Sequence, residues 1–337
     1  MGELPFEKIK RIVLVRANTK TSSAFGCDPY KRPIEEHLNF GIVNVDKPSG
    51  PTSHQVSSFV KSILHVEKAG HSGTLDPKVT GILAVAVGDG TRISESLLTA
   101  GKEYVCLMHV HQEFDEKKLR EIVDKKFIGK IRQLPPVKSA VKREWRNRKV
   151  YYIEILEIKG QDVLFRVGCQ AGTYIRKLCT DMGDAFGTGA HMAELRRTKA
   201  GPFNETTHLC TLQDLTDAYF YYVENKDESK IREFVRPIEE AVAHLPKVWI
   251  HDMTVNTLCN GASLKVPGIA KVESEIQVDE YVAIMTLKNE LVAIGLSKMV
   301  SKDMVSEPKG IAVESSQVFM KPGIYPKLEK KVEEKKE

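Results

Sequence analysis

Asp76 lies in a short polar segment in which its carboxylate could have either of two roles. The segment is Gly70-His71-Ser72-Gly73-Thr74-Leu75-Asp76-Pro77. An aspartate before a proline commonly forms a turn, because its side chain accepts hydrogen bonds from nearby backbone amides. A carboxylate can also act as a nucleophile and form a covalent intermediate. On spacing alone the turn is the better interpretation, so a catalytic role depends on what accompanies Asp76.

Three other segments accompany Asp76 in a fixed order along the chain. They are Lys47-Pro48 with the following Gly50, Lys102-Glu103-Tyr104, and Gly172-Thr173-Tyr174-Ile175-Arg176. Together with Gly70–Pro77, these segments match the motifs of the TruB-type pseudouridine synthases in the right order and at sensible distances. The chain therefore resembles this family of RNA-modifying enzymes. The resemblance extends from about Phe40 to Pro326.

Two longer strings narrow the resemblance to one branch of the family. They are Pro135-Pro136-Val137-Lys138-Ser139-Ala140-Val141-Lys142-Arg143 and Gly189-Ala190-His191-Met192-Ala193-Glu194-Leu195-Arg196-Arg197-Thr198. Both resemble the archaeal and eukaryotic branch, which contains dyskerin and the catalytic subunits of box H/ACA guide-RNA particles. The long lysine-rich tails of the eukaryotic members are missing, so the chain looks like an archaeal-type member.

The resemblance implies a reaction that needs no cofactor. Pseudouridylation breaks the C1′–N1 bond of a uridine, rotates the base and rejoins it through C5. Nothing is oxidised and no phosphoryl group moves, so neither a metal ion nor an organic cofactor is required. Asp76 occupies the position of the catalytic carboxylate, and attack at C1′, attack at C6 and removal of a sugar proton are all open to it.

Arg176 and Tyr104 are the two catalytic partners that the resemblance implies. Burial in a dry pocket would raise the pKa of the Asp76 carboxyl, and an opposing cation would restore the ionised form. We therefore predict an ion pair between Asp76 and Arg176. Tyr104 matches the tyrosine that stacks on the uracil ring near C5, a contact worth about 1–3 kcal/mol. Without the motifs, Arg176 would be an exposed helix residue and Tyr104 a strand tyrosine.

Four further residues are predicted around the same pocket, each with a structural alternative. Tyr174 and Leu195 are expected to line it and exclude water, although core packing would explain both. An RNA base must leave its stack before an enzyme can act on it. His71 matches the histidine that fills the vacated space, or it is an ordinary loop histidine. Lys47 contacts phosphate or supports the floor of the site.

The C-terminal part of the chain resembles a PUA domain, a module of RNA-modifying enzymes. The matching residues lie in Asn260–Leu264 and Val266–Ala270, where glycines would let RNA approach the backbone closely. In the guide-RNA branch this domain grips the ACA trinucleotide of the guide, and the N-terminal arm folds against it. The implied RNA contacts are Gly261, Ala262, Leu264, Pro267 and Gly268.

A basic segment supplies a second candidate RNA surface. The net charge of the chain is only +5, but residues 130–149 contain eight Lys or Arg and one acid. Such a patch is typical of a contact with a phosphate backbone, and also of an ordinary solvated face. The candidate contacts are Lys142, Arg143, Arg146 and Arg148.

The pattern of elements predicts an α+β fold with two domains. Strand-like runs and amphipathic helices alternate irregularly, so we expect a mixed, largely antiparallel sheet flanked by helices, followed by a small β-barrel. Helices are predicted after Thr52, after Thr173, at Leu212–Val223 and at Ile231–Val242. The expected divisions are an arm at 1–39, a catalytic domain at 40–245, a PUA domain at 246–326 and a charged, disordered tail at 327–337.

Cysteine usage and hydropathy suggest the class and location of the protein. The six cysteines are scattered without a CxxC pair. This spacing argues against a structural zinc site and against a disulfide framework. No apolar run approaches the roughly 20 residues of a membrane span. Nothing near Met1 has the layout of a secretory signal. We therefore expect a cytoplasmic protein that does not bind membranes.

Three functions fit these observations. The first is the catalytic subunit of an H/ACA particle, which acts on rRNA and tRNA through a guide RNA. It would be assisted by a zinc-ribbon-like peptide, a small β-barrel protein and a kink-turn-binding protein. The second is a stand-alone synthase that recognises the tRNA T-arm. The third is a non-catalytic RNA-binding scaffold. Intact Asp76, Tyr104 and Arg176 disfavour the scaffold, and the PUA-like segment favours the first function over the second.

Overall fold

The computed structural model describes residues 2–135 and 142–327 and contains two compact units. Within these ranges, the first unit comprises residues 2–8 and 38–236, and the second comprises residues 9–37 and 237–327. The predicted N-terminal arm is thus divided between the units. Residues 136–141 of the Pro135–Arg143 string, with Lys138, lie outside the described residues, as does the predicted tail from residue 328 onward.

The strands of the described chain form two separate sheets. In chain order they are β1 (Val13–Val15), β2 (Gly41–Lys47), β3 (Ala69–His71), β4 (Thr80–Val87), β5 (Lys102–Val110), β6 (Gly129–Gln133), β7 (Arg146–Lys159), β8 (Asp162–Cys169), β9 (Ala190–Ala200), β10 (Phe203–Asn204), β11 (Leu209–Cys210), β12 (Val235–Pro237), β13 (Lys247–Ile250), β14 (Leu264–Lys265), β15 (Ile269–Glu273), β16 (Tyr281–Thr286), β17 (Leu291–Ser297) and β18 (Ile311–Val318).

The helices are mostly short and connect these strands. In chain order they are α1 (Ile34–Asn39), α2 (Ser53–Ile63), α3 (Ser94–Thr99), α4 (Glu116–Lys126), α5 (Ile175–Phe186), α6 (Leu212–Asn225), α7 (Ser229–Phe234), α8 (Asp252–Cys259) and α9 (Ser301–Ser306). Single 3-10 turns occur at Pro5–Lys8, Pro29–Lys31, Gly88–Ile93, Ile238–Val242 and Val266–Gly268. None of these helices combines the length and the apolarity of a membrane span, within the part of the chain that the structure describes.

The sheet of the first unit is mixed and mainly antiparallel, which confirms the predicted fold class. Its main path is β11-β2-β4-β9-β5-β8-β7-β6, in which the pairs β11–β2 and β4–β9 are parallel. Strand β4 lies inside this path and is buried from Gly81 onward, as expected for a continuous apolar run. Helices α4 and α5 bury Leu119, Val123, Leu178 and Met182 in one core with the sheet.

Local sequence signals account for the helices that flank the site. Helix α2 begins with a capping box, in which the Thr52 and Gln55 side chains each accept a hydrogen bond from the backbone N–H of the other residue. Helix α5 ends at Gly187, whose φ of +80° is left-handed. The predicted helices after Thr52, after Thr173 and at Leu212–Val223 are therefore confirmed.

The helix predicted at Ile231–Val242 is wrong. Helix α7 ends at Phe234, strand β12 follows, and a 3-10 turn covers Ile238–Val242. Pro237 explains the break, because proline has no backbone N–H to donate and its ring disfavours the helical conformation of the preceding residue. The apolar spacing that suggested one helix thus belongs to three elements.

The second unit is built on a seven-stranded sheet with the order β1-β15-β13-β16-β17-β18-β14. Its core contains Val248, Ile284, Val292 and Val313 from different strands. Strand β1 pairs antiparallel with β15, so part of the N-terminal segment belongs to this sheet. This small, mostly β architecture agrees with the β-rich domain that the C-terminal sequence predicts.

Candidate active site

The first unit contains a cavity of about 560 Å³ that is lined by all three predicted catalytic residues, Asp76, Tyr104 and Arg176. Two of the four predicted pocket residues, Tyr174 and Leu195, line it as well. Its remaining wall consists of Gly73, Thr74, Leu75, Val79, Leu98, Lys102, Gly172, Thr173, Ile175, Met192 and Arg197. In residues 2–135 and 142–327, no group of three or more His, Cys, Asp or Glu side chains is arranged to hold a metal ion.

Asp76 and Arg176 form the predicted ion pair across this cavity. Arg176 Nη2 donates to Asp76 Oδ2, although the two residues are 100 positions apart in sequence. The side chains are 52% and 50% exposed, so the carboxylate faces an open cavity and not the dry pocket that the sequence suggested. An exposed pair stabilises the fold by about 0–1 kcal/mol. The pair therefore contributes more to orienting the Asp76 carboxylate than to the stability of the fold.

Lys47 supports the loop that carries Asp76. Its Nζ donates to the carbonyl oxygens of Pro48, Pro77 and Val79 at 2.8–3.0 Å, and the side chain is fully buried. Burial lowers the pKa of Lys47, with Arg197 adding to the effect. The phosphate contact considered for Lys47 is thus excluded, since all three ammonium protons point to carbonyls. Lys47 also does not line the cavity, which corrects its assignment as a pocket residue.

Ser53 holds the same loop from the first turn of α2. Its hydroxyl accepts a hydrogen bond of 2.8 Å from the Leu75 amide and donates one of 3.2 Å to the Leu75 carbonyl. Gly50 N donates to the carbonyl of Pro77 at 2.9 Å. The residues on both sides of Asp76 are therefore fixed by the segment that follows Lys47. Sequence reasoning missed Ser53 because a helix-start serine usually serves its own helix.

Tyr104 lies on β5 and presents its ring to the cavity. Burial raises the pKa of its hydroxyl, while the charge of Arg197 opposes that effect. The hydroxyl is therefore protonated near neutral pH. A partly buried ring beside Asp76 provides the flat surface on which a uracil could stack.

The segment that precedes Arg176 is anchored by two side chains from the neighbouring strands. Gln133 accepts a hydrogen bond of 3.0 Å from Tyr174 N and donates one of 3.2 Å to Tyr174 O. Arg148 Nε donates to the carbonyl of Gly172 at 3.0 Å. Gly172 has a φ of +77°, and a Cβ there would lie 3.0 Å from the Arg148 guanidinium. Arg148, predicted as an RNA contact, thus supports the catalytic segment.

His71 lies at the start of the Asp76 loop but does not line the cavity. Its Nδ1 accepts a weak hydrogen bond of 3.4 Å from Gly73 N. Burial lowers its pKa, and the nearby Arg197 and His54 lower it further. The ring is therefore mainly neutral at pH 7, which is compatible with both of the alternatives given for it. Its role toward a flipped nucleotide stays a prediction.

The basic segment is largely exposed where the structure describes it. Lys142 and Arg143 face solvent, Lys142 pairs with Glu144, and Arg146 donates to the Lys142 carbonyl at 3.3 Å. Trp145, which sequence reasoning missed, is 57% exposed and lies 4.9 Å beneath the Arg132 guanidinium. An exposed indole among cations combines the charge and the stacking surface that single-stranded RNA requires.

Four of the five predicted contacts in the C-terminal unit lie at its surface. Gly261 and Pro267 are exposed, and Ala262 and Gly268 are partly exposed. Leu264 is fully buried in the core of this unit, so its side chain cannot contact RNA. That assignment is corrected, because Leu264 belongs to β14 and its side chain points inward.

Known protein families match nearly the whole chain. Residues 61–175 match the N-terminal domain of TruB family pseudouridylate synthases, and residues 176–243 match the C-terminal domain of tRNA pseudouridylate synthase B. The chain is 53% identical to the probable tRNA pseudouridine synthase B of Methanopyrus kandleri, over 96% of this chain and 95% of that protein. The chain belongs to the TruB family of pseudouridylate synthases. The Pyrococcus furiosus relative of the same name is 55% identical over 95% of this chain and 94% of that protein.

The remaining matches to this TruB-family enzyme cover the ends of the chain. Residues 2–57 match a DKCLD domain and residues 246–319 a PUA domain. A solved Cbf5–Nop10–Gar1 complex contains a chain with 54% identity and a TM-score of 0.91, covering 97% of this chain and 99% of that one. A solved H/ACA RNP bound to a substrate RNA gives 51% identity and a TM-score of 0.89, over 96% and 99%. The predicted dyskerin-type branch and PUA domain are therefore confirmed.

Lys102 makes the stability of this synthase depend on pH. Its buried Nζ donates to the carbonyls of Leu97, Leu98 and Ala100, and burial, followed by the charge of Arg197, lowers its pKa to about 7. The unfolded chain holds this proton up to a pKa near 10.5. Between pH 7 and 10.5 the unfolded state thus binds more protons, and the contribution of Lys102 to stability rises with pH.

We compare the free energy of unfolding of the wild type with that of Lys102→Met. The difference, wild type minus variant, is expected to increase by up to about 1.4 kcal/mol per pH unit across this range. Equilibrium urea unfolding at several values of pH from 6 to 10 measures the difference. Parallel curves for the two proteins would show that Lys102 does not release its proton on folding. Lys125→Met, which alters an exposed helix pair with Glu121, serves as the control.

Proposed function

We propose that this pseudouridine synthase is the catalytic subunit of an H/ACA-type particle, in which a guide RNA selects the uridine. The observation that supports this most strongly is its similarity to chains of solved H/ACA complexes, at 51–54% identity over nearly the whole length. One of these two complexes holds a substrate RNA, and the other contains Nop10 and Gar1. The proposed targets are rRNA and tRNA.

In the proposed reaction, Asp76 performs the chemistry on an extruded uridine. Arg176 keeps the carboxylate aimed into the cavity, and Tyr104 stacks on the uracil ring. When the C1′–N1 bond breaks, its electron pair leaves with the base, which turns and forms the C5–C1′ bond. Overall, C5 loses a proton and N1 gains one. Tyr174 and Leu195 keep the detached base in the cavity, and His71 is proposed to occupy the space that the flipped nucleotide leaves.

The proposed RNA contacts are not among the residues that line this cavity. The exposed turn around Gly261 and Pro267 in the PUA domain would hold the guide, and Lys142, Arg143 and Arg146 would contact phosphates. The expected protein partners are a zinc-ribbon-like peptide, a small β-barrel protein and a kink-turn-binding protein. Because guide pairing would carry the sequence information, the cavity itself needs only to accept uridine.

A stand-alone activity on tRNA is the second candidate. It is supported by the name that the relatives carry, probable tRNA pseudouridine synthase B. The two candidates are separated by incubating the purified chain with target RNA, with and without a matching H/ACA guide, and counting pseudouridine by mass spectrometry. Modification that requires the guide supports the proposal. Equal modification of a tRNA T-arm without guide would replace it with the second candidate.

Gly261 offers a test of guide binding. A Cβ on Gly261 would meet nothing within 4 Å, and its φ of +85° is one that aspartate tolerates at modest cost. Gly261→Asp would add a negative charge where RNA is proposed to bind, and we expect guide affinity to fall by about tenfold at low salt. Gly160→Asp, at an equally open left-handed turn (φ +59°) in the first unit, should change it little. Filter binding measures both, and equal affinities would contradict the assignment.

A further inference from the structure

Arg197 is a buried cation at the wall of the cavity, and none of the motifs assigns it a role. It is only 1% exposed. Among the described residues it forms no ion pair with a carboxylate, in contrast to its neighbour Arg196, which pairs with Asp46 and Glu205. A buried, unpaired charge is costly, so a protein keeps one only where other contacts or a function require it.

The contacts of Arg197 join three parts of the active site. Its Nε donates to the carbonyl of Ile82 on β4 at 2.7 Å, and its Nη2 donates to the carbonyl of Gly73 in the Asp76 loop at 3.2 Å. Tyr104 on β5 is the cross-strand partner of Arg197, and the guanidinium lies close enough to its hydroxyl for each group to influence the pKa of the other. Burial lowers the pKa of Arg197, but an arginine remains protonated in proteins. One rigid cation thus touches β4, β5 and the catalytic loop.

The strand geometry explains how Arg197 reaches all three. Strand β9 lies between β4 and β5, with Arg197 opposite Gly81 on one side and Tyr104 on the other. A Cβ at Gly81 would lie 2.2 Å from the Arg197 carbonyl, so only glycine permits this close approach. The β5–β9 register shifts between Glu103 and Tyr104, and such an irregularity re-aims the side chains beside it.

We propose that Arg197 is a positioning residue that fixes the Tyr104 ring relative to the Asp76 loop. One planar group holds the Gly73 carbonyl and lies against the Tyr104 side chain, its cross-strand neighbour, and so sets the distance between the stacking surface and the carboxylate. Arg197 acts through these two groups and not by contact with the RNA backbone. The inference rests on the roles proposed above for Asp76 and Tyr104.

The test compares Arg197→Lys with Arg196→Lys in the full chain. Lysine keeps the charge but cannot hold two partners in the fixed geometry of a guanidinium. We expect Arg197→Lys to lower the single-turnover rate of pseudouridine formation by about 100-fold, the size of effect that misplaced catalytic groups produce. RNA affinity should stay unchanged. Arg196→Lys, one residue away on the other face of β9, should stay within about threefold of wild type.

A double-mutant cycle shows whether Arg197 acts through Tyr104. In a Tyr104→Phe background the hydroxyl contact is already absent, so Arg197→Lys should cost far less than in the wild type, and the two losses should not add. The Tyr104 Cζ resonance in ¹³C-tyrosine-labelled protein should also move in Arg197→Lys and stay in place in Arg196→Lys. That spectrum decides the case if Tyr104→Phe turns over too slowly to measure.

Four results would each overturn the proposal. They are a wild-type rate for Arg197→Lys, fully additive losses in the cycle, an unmoved Tyr104 resonance, and a loss of rate that a lower melting temperature alone explains. The rates are measured on whichever RNA the wild type modifies, so guide-independent modification would refute the proposed function and leave the Arg197 result intact. An active Asp76→Asn enzyme would instead remove the catalytic roles on which the inference rests.

Discussion

Asp76→Asn is expected to abolish pseudouridine formation, lowering the single-turnover rate by roughly 10⁴-fold or more, the size of loss seen when a catalytic nucleophile is removed. The amide keeps the shape of the carboxylate but carries no charge and is a poor nucleophile. Asp76 is half-exposed, and Ser53 and Lys47 hold the backbone of its neighbours Leu75 and Pro77. The fold should therefore not change. Rapid-quench assays with saturating enzyme give the rate.

The control for Asp76→Asn is the same substitution at an aspartate outside the cavity. Asp162 pairs with His109 at 2.7 Å on the solvent side of the β5–β8 pair, so Asp162→Asn should leave the rate nearly unchanged. Guide-RNA affinity should stay at the wild-type level in both variants. If Asp76→Asn lost RNA binding or melted early, Asp76 would have a structural role. If it retained activity, the nucleophile would have to be another group.

Arg176→Met is expected to lower the single-turnover rate by about 10²–10³-fold, as does the loss of one charged or hydrogen-bonding group at other catalytic centres. Without the guanidinium, no side chain holds Asp76 Oδ2, so the carboxylate is no longer aimed at the reacting atoms of the uridine. Rapid-quench assays with saturating enzyme give the rate of the variant.

Lys177→Met provides the matched control for Arg176→Met. Lys177 is the next residue of α5 and pairs with Asp181, a turn further along the same helix. Removal of Lys177 should hardly change the single-turnover rate. It should lower the free energy of unfolding by about as little as the loss of Arg176 does, since both ion pairs are partly exposed. Equal rates for the two variants would show that Arg176 has no special role.

The catalytic set could be predicted from sequence because motif residues are recognisable one at a time. Asp76 and Arg176 are 100 positions apart, and only the order of the motifs indicated that they meet. The structure brings them together with Tyr104 in one cavity. Helices α2 and α5 were predictable for a different reason, since their apolar spacing and end signals are local. Both predictions rest on short stretches of sequence, namely the motif residues in one case and the apolar spacing and helix-end residues in the other.

Of the supporting residues, only Lys47 was a candidate from the sequence; Gln133 and Arg197 were not, because their partners are backbone atoms far away in sequence. These two side chains donate to carbonyls that come within reach only after the sheet has formed. No local pattern marks such a residue, and each would pass for an ordinary surface cation or amide. Leu264 shows the reverse error, because its place in an RNA-binding motif concealed its inward direction. The helix predicted at Ile231–Val242 failed because apolar spacing was weighed above Pro237.

The measurement that tests the central claim most directly is guide retargeting with the wild-type chain. A target RNA carries two uridines in comparable single-stranded settings, and the pairing segments of the guide are redesigned to expose first one and then the other. We predict that pseudouridine, located by mass spectrometry, moves to the newly exposed uridine each time and is absent at both positions with Asp76→Asn. Modification that stays at one uridine whatever the guide, or that persists in Asp76→Asn, would contradict the account.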